Sequence, residues 1–348
     1  MRYPAFWQRR GLRSLLLWPV SLLTCRLAAR RRKRARKGIG VVAINCPVII
    51  IGNITVGGTG KTPVLIALAE ALTQRGRKVG IISRGYGAKI GVEPRDVAES
   101  DSPKTVGDEP WLIHQRLGLP VVVHPDRVCA AEQLRARYPE VDVILSDDGL
   151  QHHRLARTIE IVVIDGTRRL GNQFCLPAGP LREPAKSLAS MDFVLVSGEP
   201  FEHRTVSKQW PVQFELLEVR DLYDQQSYSF AAFQAKFQQV RGQGAEVSAL
   251  AGVGNPERFF NALRTHGLKL RTYALADHQP VPSALLNLLG RLTQPLLMTE
   301  KDAVKWLNHK PVWHQHPGQV FAVIGRMQLT DELIASVLAL LAQRAQTT

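Results

Sequence analysis

Short runs of β-branched and other apolar residues alternate with helical stretches from Val41 to about residue 200. Strands that are buried on both faces have continuous apolar sequences, so this alternation is typical of a parallel sheet covered by helices. Predicted strands and helices fall in the following ranges: strands at 47–53, 78–85, 120–125, 141–148, 159–166 and 191–198, and helices at 62–75 and 127–138. The pattern predicts an α/β fold with a doubly wound parallel sheet over residues 41–200.

The composition changes after this region. Residues 201–245 are richer in Gln, Phe and Tyr and are expected to connect two domains. Within them, "VQFELLEV" followed by "QSYSFAAF" predicts an antiparallel pair or a connecting ribbon. A second α/β alternation occupies 246–348, with apolar runs at 246–254, 295–302 and 319–326 and an amphipathic helix over about 330–345. We therefore expect a second, smaller α/β domain that closes over a cleft.

The net charge of +15 is concentrated at the N-terminus. Residues 1–40 contain twelve of the 45 Lys and Arg and no Asp or Glu, so the remaining 308 residues carry only +3. A nucleic-acid-stimulated ATPase would need a basic stripe on its body, and the body is nearly neutral. The distribution points to an anionic partner for the first 40 residues alone.

An apolar run, "SLLLWPVSLLTC", lies between Arg13 and Arg26 and is interrupted by Pro19. A spanning helix needs about 20 apolar residues, so this run predicts no ordinary bilayer crossing. A secretory signal would end in a small-residue cleavage site, whereas "RRRKRARK" follows here. Trp and Leu interleaved with Arg favour a helix that lies in the interface of an anionic leaflet; nucleic-acid binding is the alternative for any Arg run.

Four cysteines are scattered along the chain: Cys25, Cys46, Cys129 and Cys175. They form no C-x-x-C pair and have no paired His, so the spacing predicts neither a zinc site nor a disulfide framework. A reducing, cytosolic environment for the body follows from that reading.

The segment "NITVGGTGKTP" (53–63) lies between a predicted strand and a predicted helix. It matches the phosphate-binding pattern G-x-x-x-x-G-K-[ST] except that Thr55 replaces the first Gly. Glycines let backbone N–H groups turn towards phosphate oxygens, while Lys and Thr at the helix start suit the β/γ-phosphates and Mg²⁺. The predicted nucleotide-binding residues are Thr55, Val56, Gly57, Gly58, Thr59, Gly60, Lys61 and Thr62.

Carboxylates are expected near such a loop because Mg²⁺ needs an acid from another strand end. Asp147 and Asp148 follow the buried run "VDVILS" and predict a magnesium site. Gln151 and His152 begin the next segment and could orient phosphate or cap a helix. "TVGDEPWL" contains Asp108 at a predicted helix start, and from this segment alone an acid complementing the helix dipole is the simpler interpretation.

Together these blocks resemble the tetraacyldisaccharide 4′-kinase family, whose members phosphorylate a membrane-embedded disaccharide precursor of lipid A. The resemblance runs from about residue 13 to 326 in one order. It rests on the following blocks: "GNITVGGTGKTP", "SRGYG", "VGDEP", "DDGLQHH", "PAGPLREP", "AGVGNPERFF", "ADH" and "TEKDAVK". The family's loop also has Thr at its first position. The resemblance implies an ATP- and Mg²⁺-dependent phosphotransferase acting on the 4′-hydroxyl of an acylated disaccharide 1-phosphate, with lipid IV-A as product.

The resemblance also implies residue roles. Asp108 and His278 match a catalytic Asp–His pair, and Lys61 matches the phosphate-loop lysine. Asp147 and Asp148, together with Thr62, match the Mg²⁺-ATP ligands. Arg182 and Glu183 match positions that support the phosphates or metal.

The family places such an enzyme at the cytoplasmic face of the bacterial inner membrane, attached peripherally or by a shallow anchor. Its expected partners are then an acylated, phospholipid-like substrate and an anionic membrane surface, with neither nucleic acid nor a protein partner inferred. A P-loop GTPase or metallochaperone is the remaining rival, and the guanine-reading string N-K-x-D that a GTPase needs is absent from the sequence.

Overall fold

A computed structural model describes most of the chain, with gaps mainly in its C-terminal third. The described residues are 3–100, 102–206, 208–241, 246–276, 279, 287, 294–306 and 320–345. They form two compact units, a larger unit of Tyr3–Gln213 with Met327–Thr348 and a smaller unit of Phe214–Arg326. The domain limits expected at residues 40, 200 and 245 stay predictions.

The larger unit is built on a mostly parallel sheet, which confirms the predicted fold class. Its strands are β1 (Val48–Gly52), β2 (Val79–Ser83), β3 (Arg95–Asp96), β4 (Val121–Val123), β5 (Val143–Asp147), β6 (Ile159–Asp165) and β7 (Phe193–Ser197). They are ordered β3-β4-β2-β5-β1-β6-β7, and β3 alone among them is antiparallel to its neighbour. All seven residues of β6 are buried, as the continuous apolar run predicted.

Helices flank this sheet in the larger unit. They are α1 (Leu12–Arg36), α2 (Lys61–Gln74), α3 (Pro103–Val106), α4 (Asp108–Leu117) and α5 (Arg127–Arg137), with short 3₁₀ helices at Ala5–Trp7, Val97–Glu99 and Ala185–Ser190. Leu65, Leu68 and Leu72 recur on one face of α2 and are fully buried. That buried stripe fixes the helix directly after the phosphate loop.

The smaller unit has its own hydrophobic core. β8 (Trp210–Asp221) pairs antiparallel with β9 (Ser227–Ser229), which confirms the predicted antiparallel pair, although helix α6 (Phe230–Arg241) begins directly after it. Parallel strands follow in the spatial order β11-β10-β12-β13, and helices α7 and α8 lie between them in sequence. Their bounds are β10 (Glu246–Ala251), α7 (Pro256–Thr265), β11 (Lys269–Ala274), β12 (Leu296–Thr299), α8 (Glu300–Trp306) and β13 (Val320–Gln328). The last helix, α9 (Asp331–Ala345), belongs to the larger unit.

Helix α1 buries small and polar side chains and exposes its large apolar ones. Ser14 and Ser21 are buried, and the Ser21 hydroxyl donates to the Cys175 carbonyl. Thr24 donates to the Leu176 carbonyl. The apolar side chains at least 40% exposed are Leu12, Leu15, Leu16, Trp18, Val20, Leu23 and Leu27. This is the reverse of the arrangement in a helix that packs on a soluble core.

The helix also continues through Pro19, so the expectation that α1 is too short to cross a bilayer is corrected. Its 25 residues make it the one helix in the described part of the chain that is long and apolar enough to cross a membrane, judged by length and composition. The proline removes one backbone hydrogen bond without ending the helix.

The expectation of unpaired cysteines is wrong for two of the four. Cys25 on α1 and Cys175 form a disulfide with their Cα atoms 5.7 Å apart, while Cys46 and Cys129 are free. The two residues are 150 positions apart in sequence, and they meet because α1 packs on the segment around Cys175. Local spacing carries no signal for such a pair.

Candidate active site

The phosphate loop leaves β1 at Gly52 and enters α2 at Lys61. Left-handed backbone occurs at Gly57 (φ 107°) and Gly60 (φ 90°), where residues with a Cβ are strained. Thr55 instead makes an antiparallel bridge with Leu181, and its neighbour Val56 donates its N–H to the Pro180 carbonyl at 2.9 Å. Extended backbone accepts threonine, so the replacement of the first glycine causes no strain.

Asn53 holds the loop from inside. Its side chain is fully buried, and Nδ2 lies 3.2 Å from the Gly57 carbonyl oxygen and 3.3 Å from the Thr59 hydroxyl. The two bonds join the start of the loop to its glycine turn. Asn53 was not predicted as a site residue, because an asparagine after a strand is also an ordinary turn residue.

The helix start supplies the positive end of the site. Lys61 and Thr62 are the first two residues of α2, where backbone N–H groups have no partner within the helix. The Lys61 ammonium lies 3.6 Å from a carboxylate oxygen of Asp148 and is largely shielded from solvent. Unpaired amides, the helix dipole and one lysine together form an anion site.

Two carboxylates meet this loop because β5 pairs in parallel with β1. The register places Asp147 opposite Ile51, one residue before the end of β1. Asp147 is buried, and its Oδ2 accepts a hydrogen bond from the Ser83 hydroxyl at 3.1 Å. Asp148 follows in left-handed backbone with φ 46°, a conformation uncommon for a residue with a side chain. That turn brings its carboxylate to Lys61.

The pKa values of the two acids are shifted in opposite directions. Burial, with the nearby charges of Glu109 and Asp148, raises the pKa of Asp147 to about 7. Burial also acts to raise the pKa of Asp148, but Lys61 and Arg182 outweigh it and hold that pKa below its ordinary value. Asp148 is therefore the ionised partner of the phosphate-loop lysine.

The Oδ1 atom of Asp147 is buried and accepts no hydrogen bond from the described residues. An oxygen left in this way beside the phosphate loop fits Mg²⁺, which binds through one or two carboxylates plus nucleotide phosphates. No group of three or more His, Cys, Asp or Glu suitable for a metal occurs among the described residues, so the nucleotide would have to complete the coordination.

Arg182 and Glu183 lie on opposite sides of Gln151. The Arg182 guanidinium lies 3.3 Å from an Asp148 carboxylate oxygen and 3.2 Å from the Gln151 side-chain oxygen. The Gln151 amide donates to a buried oxygen of Glu183 at 2.9 Å. Arg182 thus reaches the acids of the site directly, and Glu183 acts through Gln151.

His152 contacts the next helix rather than the phosphate loop. Its Nε2 accepts from the backbone N–H of Arg127, the first residue of α5, at 3.3 Å. Burial and the Arg127 charge lower the pKa of His152 below its ordinary value. Of the two roles left open by the sequence, this geometry is that of a helix cap. Arg127, which the sequence analysis missed, also donates to the Asp147 carbonyl at 3.1 Å.

Asp108 begins α4, directly after Gly107 in left-handed backbone. A Cβ at Gly107 would lie 2.9 Å from the Tyr86 carbonyl oxygen, so glycine is required at this turn. The charge of Glu109, the next residue of α4, contributes to the raised pKa of Asp147. Glu109 lies in the same "GDEP" block as Asp108, but no role was predicted for it from the sequence. His278 lies outside the described residues.

Comparison with known proteins gives one consistent answer. The model of the family described as tetraacyldisaccharide-1-P 4′-kinase matches residues 13–342. Proteins named tetraacyldisaccharide 4′-kinase are similar to this chain. The one from Hydrogenovibrio crunogenus is 41% identical over 313 residues, 88% of this chain and 89% of its own. One from Pseudomonas fluorescens is 45% identical over 291 residues, 83% and 82% of the two chains.

A solved structure is similar as well. The crystal structure of the "apo" form LpxK from Aquifex aeolicus in complex with ATP aligns with a TM-score of 0.70 and 26% identity. The alignment covers 95% of this chain and all of that one.

The loop geometry predicts different effects on ATP affinity for two substitutions in the phosphate loop. Thr55→Gly should leave ATP affinity within about threefold of the wild type, because the backbone at residue 55 is extended and needs no glycine. Gly60→Ala should lower ATP affinity by about tenfold, since left-handed backbone costs an L-residue about 1–2 kcal/mol. Isothermal titration calorimetry measures both. A larger loss for Thr55→Gly than for Gly60→Ala would contradict this account of the loop.

Proposed function

The chain belongs to the tetraacyldisaccharide-1-P 4′-kinase family, and we propose that it transfers the γ-phosphate of ATP to the 4′-hydroxyl of an acylated disaccharide 1-phosphate. The product is lipid IV-A, an intermediate of lipid A biosynthesis. The observation that carries the proposal is the phosphate loop of β1 beside the Asp147–Asp148 pair of β5, in a chain that the family matches over residues 13–342.

ATP binding is assigned to the loop and the start of α2. The backbone amides of the glycine turn at residues 57–60 surround the phosphates, and Lys61 neutralises their outer oxygens. Thr62, Asp147 and Asp148 would hold Mg²⁺, which supplies electrostatic stabilisation of the transferring phosphoryl group when bound. The buried Oδ1 of Asp147, which has no hydrogen-bond partner in the described part of the chain, supports this assignment.

Arg182 provides a second positive charge at the same place. It lies beside Asp148 and is held by Gln151, so its position is fixed before the nucleotide arrives. Charge spreads over the phosphoryl oxygens during transfer, and a preorganised guanidinium stabilises it without further rearrangement.

Asp108 is proposed as the general base. An alcohol acceptor must lose its proton to a group within hydrogen-bond reach, and a carboxylate can take it. The neighbouring Glu109 acts on Asp147, which supports a position for the start of α4 near the phosphates. His278 is proposed to support Asp108 on the basis of the family resemblance.

Membrane attachment is proposed through α1. The helix exposes seven large apolar side chains on the side away from the larger unit, and its C-terminal end carries the basic cluster of residues 30–37. Its other side is held along the body by Ser14, Ser21 and Arg32. Since that side is occupied by protein, we propose a shallow anchor at the cytoplasmic face of the bacterial inner membrane rather than a crossing.

The direct test of function is a transfer assay. With the monophosphorylated acyl disaccharide and Mg²⁺-ATP, the protein should form a 4′-phosphate, detected by mass spectrometry of the lipid. Excess EDTA should abolish the product, because the outer phosphates lose their divalent cation, and added Mg²⁺ should restore it. ATP hydrolysis stimulated by nucleic acid, with no lipid phosphorylation, would instead support the rival ATPase.

Asp108→Asn tests the proposed base. Turnover should fall at least about a hundredfold, since general-base catalysis typically contributes 10²–10⁴, while ATP affinity stays near the wild-type value. Glu99→Gln removes a 60% exposed carboxylate from the same unit and serves as the control. Turnover near the wild-type rate in Asp108→Asn would remove Asp108 from this role.

Substitution on the exposed face of α1 tests the anchor. Leu16→Glu with Leu23→Glu should reduce sedimentation with vesicles containing phosphatidylglycerol by at least about tenfold, because each leucine buried in lipid contributes roughly 1.5–3 kcal/mol. Val92→Glu places a charge at an 87% exposed apolar residue elsewhere on the larger unit and should change nothing. Resistance of the wild-type protein to extraction at alkaline pH would favour a crossing helix instead.

A further inference from the structure

One arginine of the basic cluster is buried while those around it are exposed. Arg32 retains only 7% of its exposure, whereas Arg30, Arg31 and Arg34 are open to solvent. Its guanidinium is bonded to Glu160 and lies 3.4 Å from Glu183, and its Nε donates to the Ser190 hydroxyl at 3.1 Å. A charge that serves only to attract a membrane would not be buried, because burial removes it from the lipid headgroups.

The two carboxylates held by Arg32 differ in their other partners. Glu160 has a second cation, Arg157, at 2.9 Å. Among the described residues, Arg32 is the only cation within salt-bridge distance of Glu183. Loss of Arg32 therefore leaves Glu160 paired with Arg157, and it leaves Glu183 as a buried carboxylate with no described cation at salt-bridge distance.

Glu183 is connected to the active site through hydrogen bonds of Gln151. Its second oxygen accepts from the Gln151 amide, which also donates to the Asn53 carbonyl at 3.1 Å. The side-chain oxygen of Gln151 accepts a hydrogen bond from Arg182, which forms a salt bridge with Asp148. A continuous series of polar contacts thus joins the membrane helix to both the phosphate loop and its acids.

We propose that Arg32 is a positioning residue for phosphoryl transfer, acting through Glu183 and Gln151 on the Arg182–Asp148 pair. Glu183 fixes which way the Gln151 amide faces, since its oxygen accepts from the NH₂ group and leaves the amide oxygen for Arg182. Arg32 holds Glu183 in place by charge and geometry. The helix that attaches the protein to its membrane therefore also completes the support of its catalytic charges. This inference rests on the kinase activity proposed above.

The alternative is that Arg32 only docks α1. Docking alone predicts that loss of Arg32 reduces folded protein or vesicle binding, with turnover per bound, folded molecule unchanged. Positioning predicts a fall in kcat at saturating ATP and lipid, with little change in KM for the lipid. The two are separable because one acts on the amount of competent enzyme and the other on the chemical step.

The experiment compares Arg32→Met with Arg34→Met in detergent micelles containing the acyl disaccharide. Both remove one charge from the same turn of α1, so any loss through membrane electrostatics is shared. Arg32→Met should lower kcat by about 10- to 100-fold relative to Arg34→Met, as is typical for loss of a residue that orients a site ligand. Arg32→Lys keeps the charge and should recover part of that loss. Equal kcat values for the two methionine variants would overturn the proposal.

A double-mutant cycle covers the case in which Arg32→Met folds poorly. In a Glu183→Gln background no uncompensated carboxylate remains, so Arg32→Met should fold there and lower kcat no further. If Arg32→Met lowers kcat by the same factor in both backgrounds, Arg32 does not act through Glu183. Failure of the wild type to phosphorylate the lipid would count against the kinase assignment instead, which the wild-type control reports separately.

Discussion

The parallel pairing of β1 with β5 is the constraint on which the site depends. It puts the end of the strand that feeds the phosphate loop next to Asp147, the last residue of β5, which Asp148 follows directly. The site residues therefore lie at or just beyond the carboxyl ends of the two strands, as is general for open α/β sheets. The buried runs that pair them are among the least exposed residues of the chain, so the spacing of phosphate loop and acids is set by the core itself.

The strands and helices of the larger unit were predictable because their signal is local. Runs such as "VIIIG" and "IEIVVID" can be buried on both faces, and the glycine-rich segment between a strand and a helix has a known purpose. What the sequence could not show depends on contacts between distant residues. The pairing of Cys25 with Cys175 and of Arg32 with Glu183 each joins positions about 150 residues apart.

The same difference between local and distant contacts explains why only some residues of the site were predicted from the sequence. Asp147 and Asp148 were found because they follow a buried apolar run. Their pKa values depend on burial and on charges from other segments: burial and Glu109 raise the pKa of Asp147, whereas Lys61 and Arg182 lower that of Asp148 against the effect of its burial. Asn53 and Gln151 carry no charge and match no motif beyond the family blocks, although their amides hold the loop and its arginine. Thr55 departed from the motif rule and proved to need no compensation, since the chain there is extended.

The last helix has a consequence for how the molecule is made. α9 belongs to the larger unit although more than a hundred residues of the smaller unit precede it. Its Arg344 holds Asp192 at 2.6 Å and donates to the Thr158 carbonyl, on the segments that start β6 and β7. During synthesis most of the larger unit therefore emerges first, but this unit is complete only after α9 has been made. A ribosome that stops before residue 331 releases an unfinished kinase unit, not a whole one lacking only its neighbour.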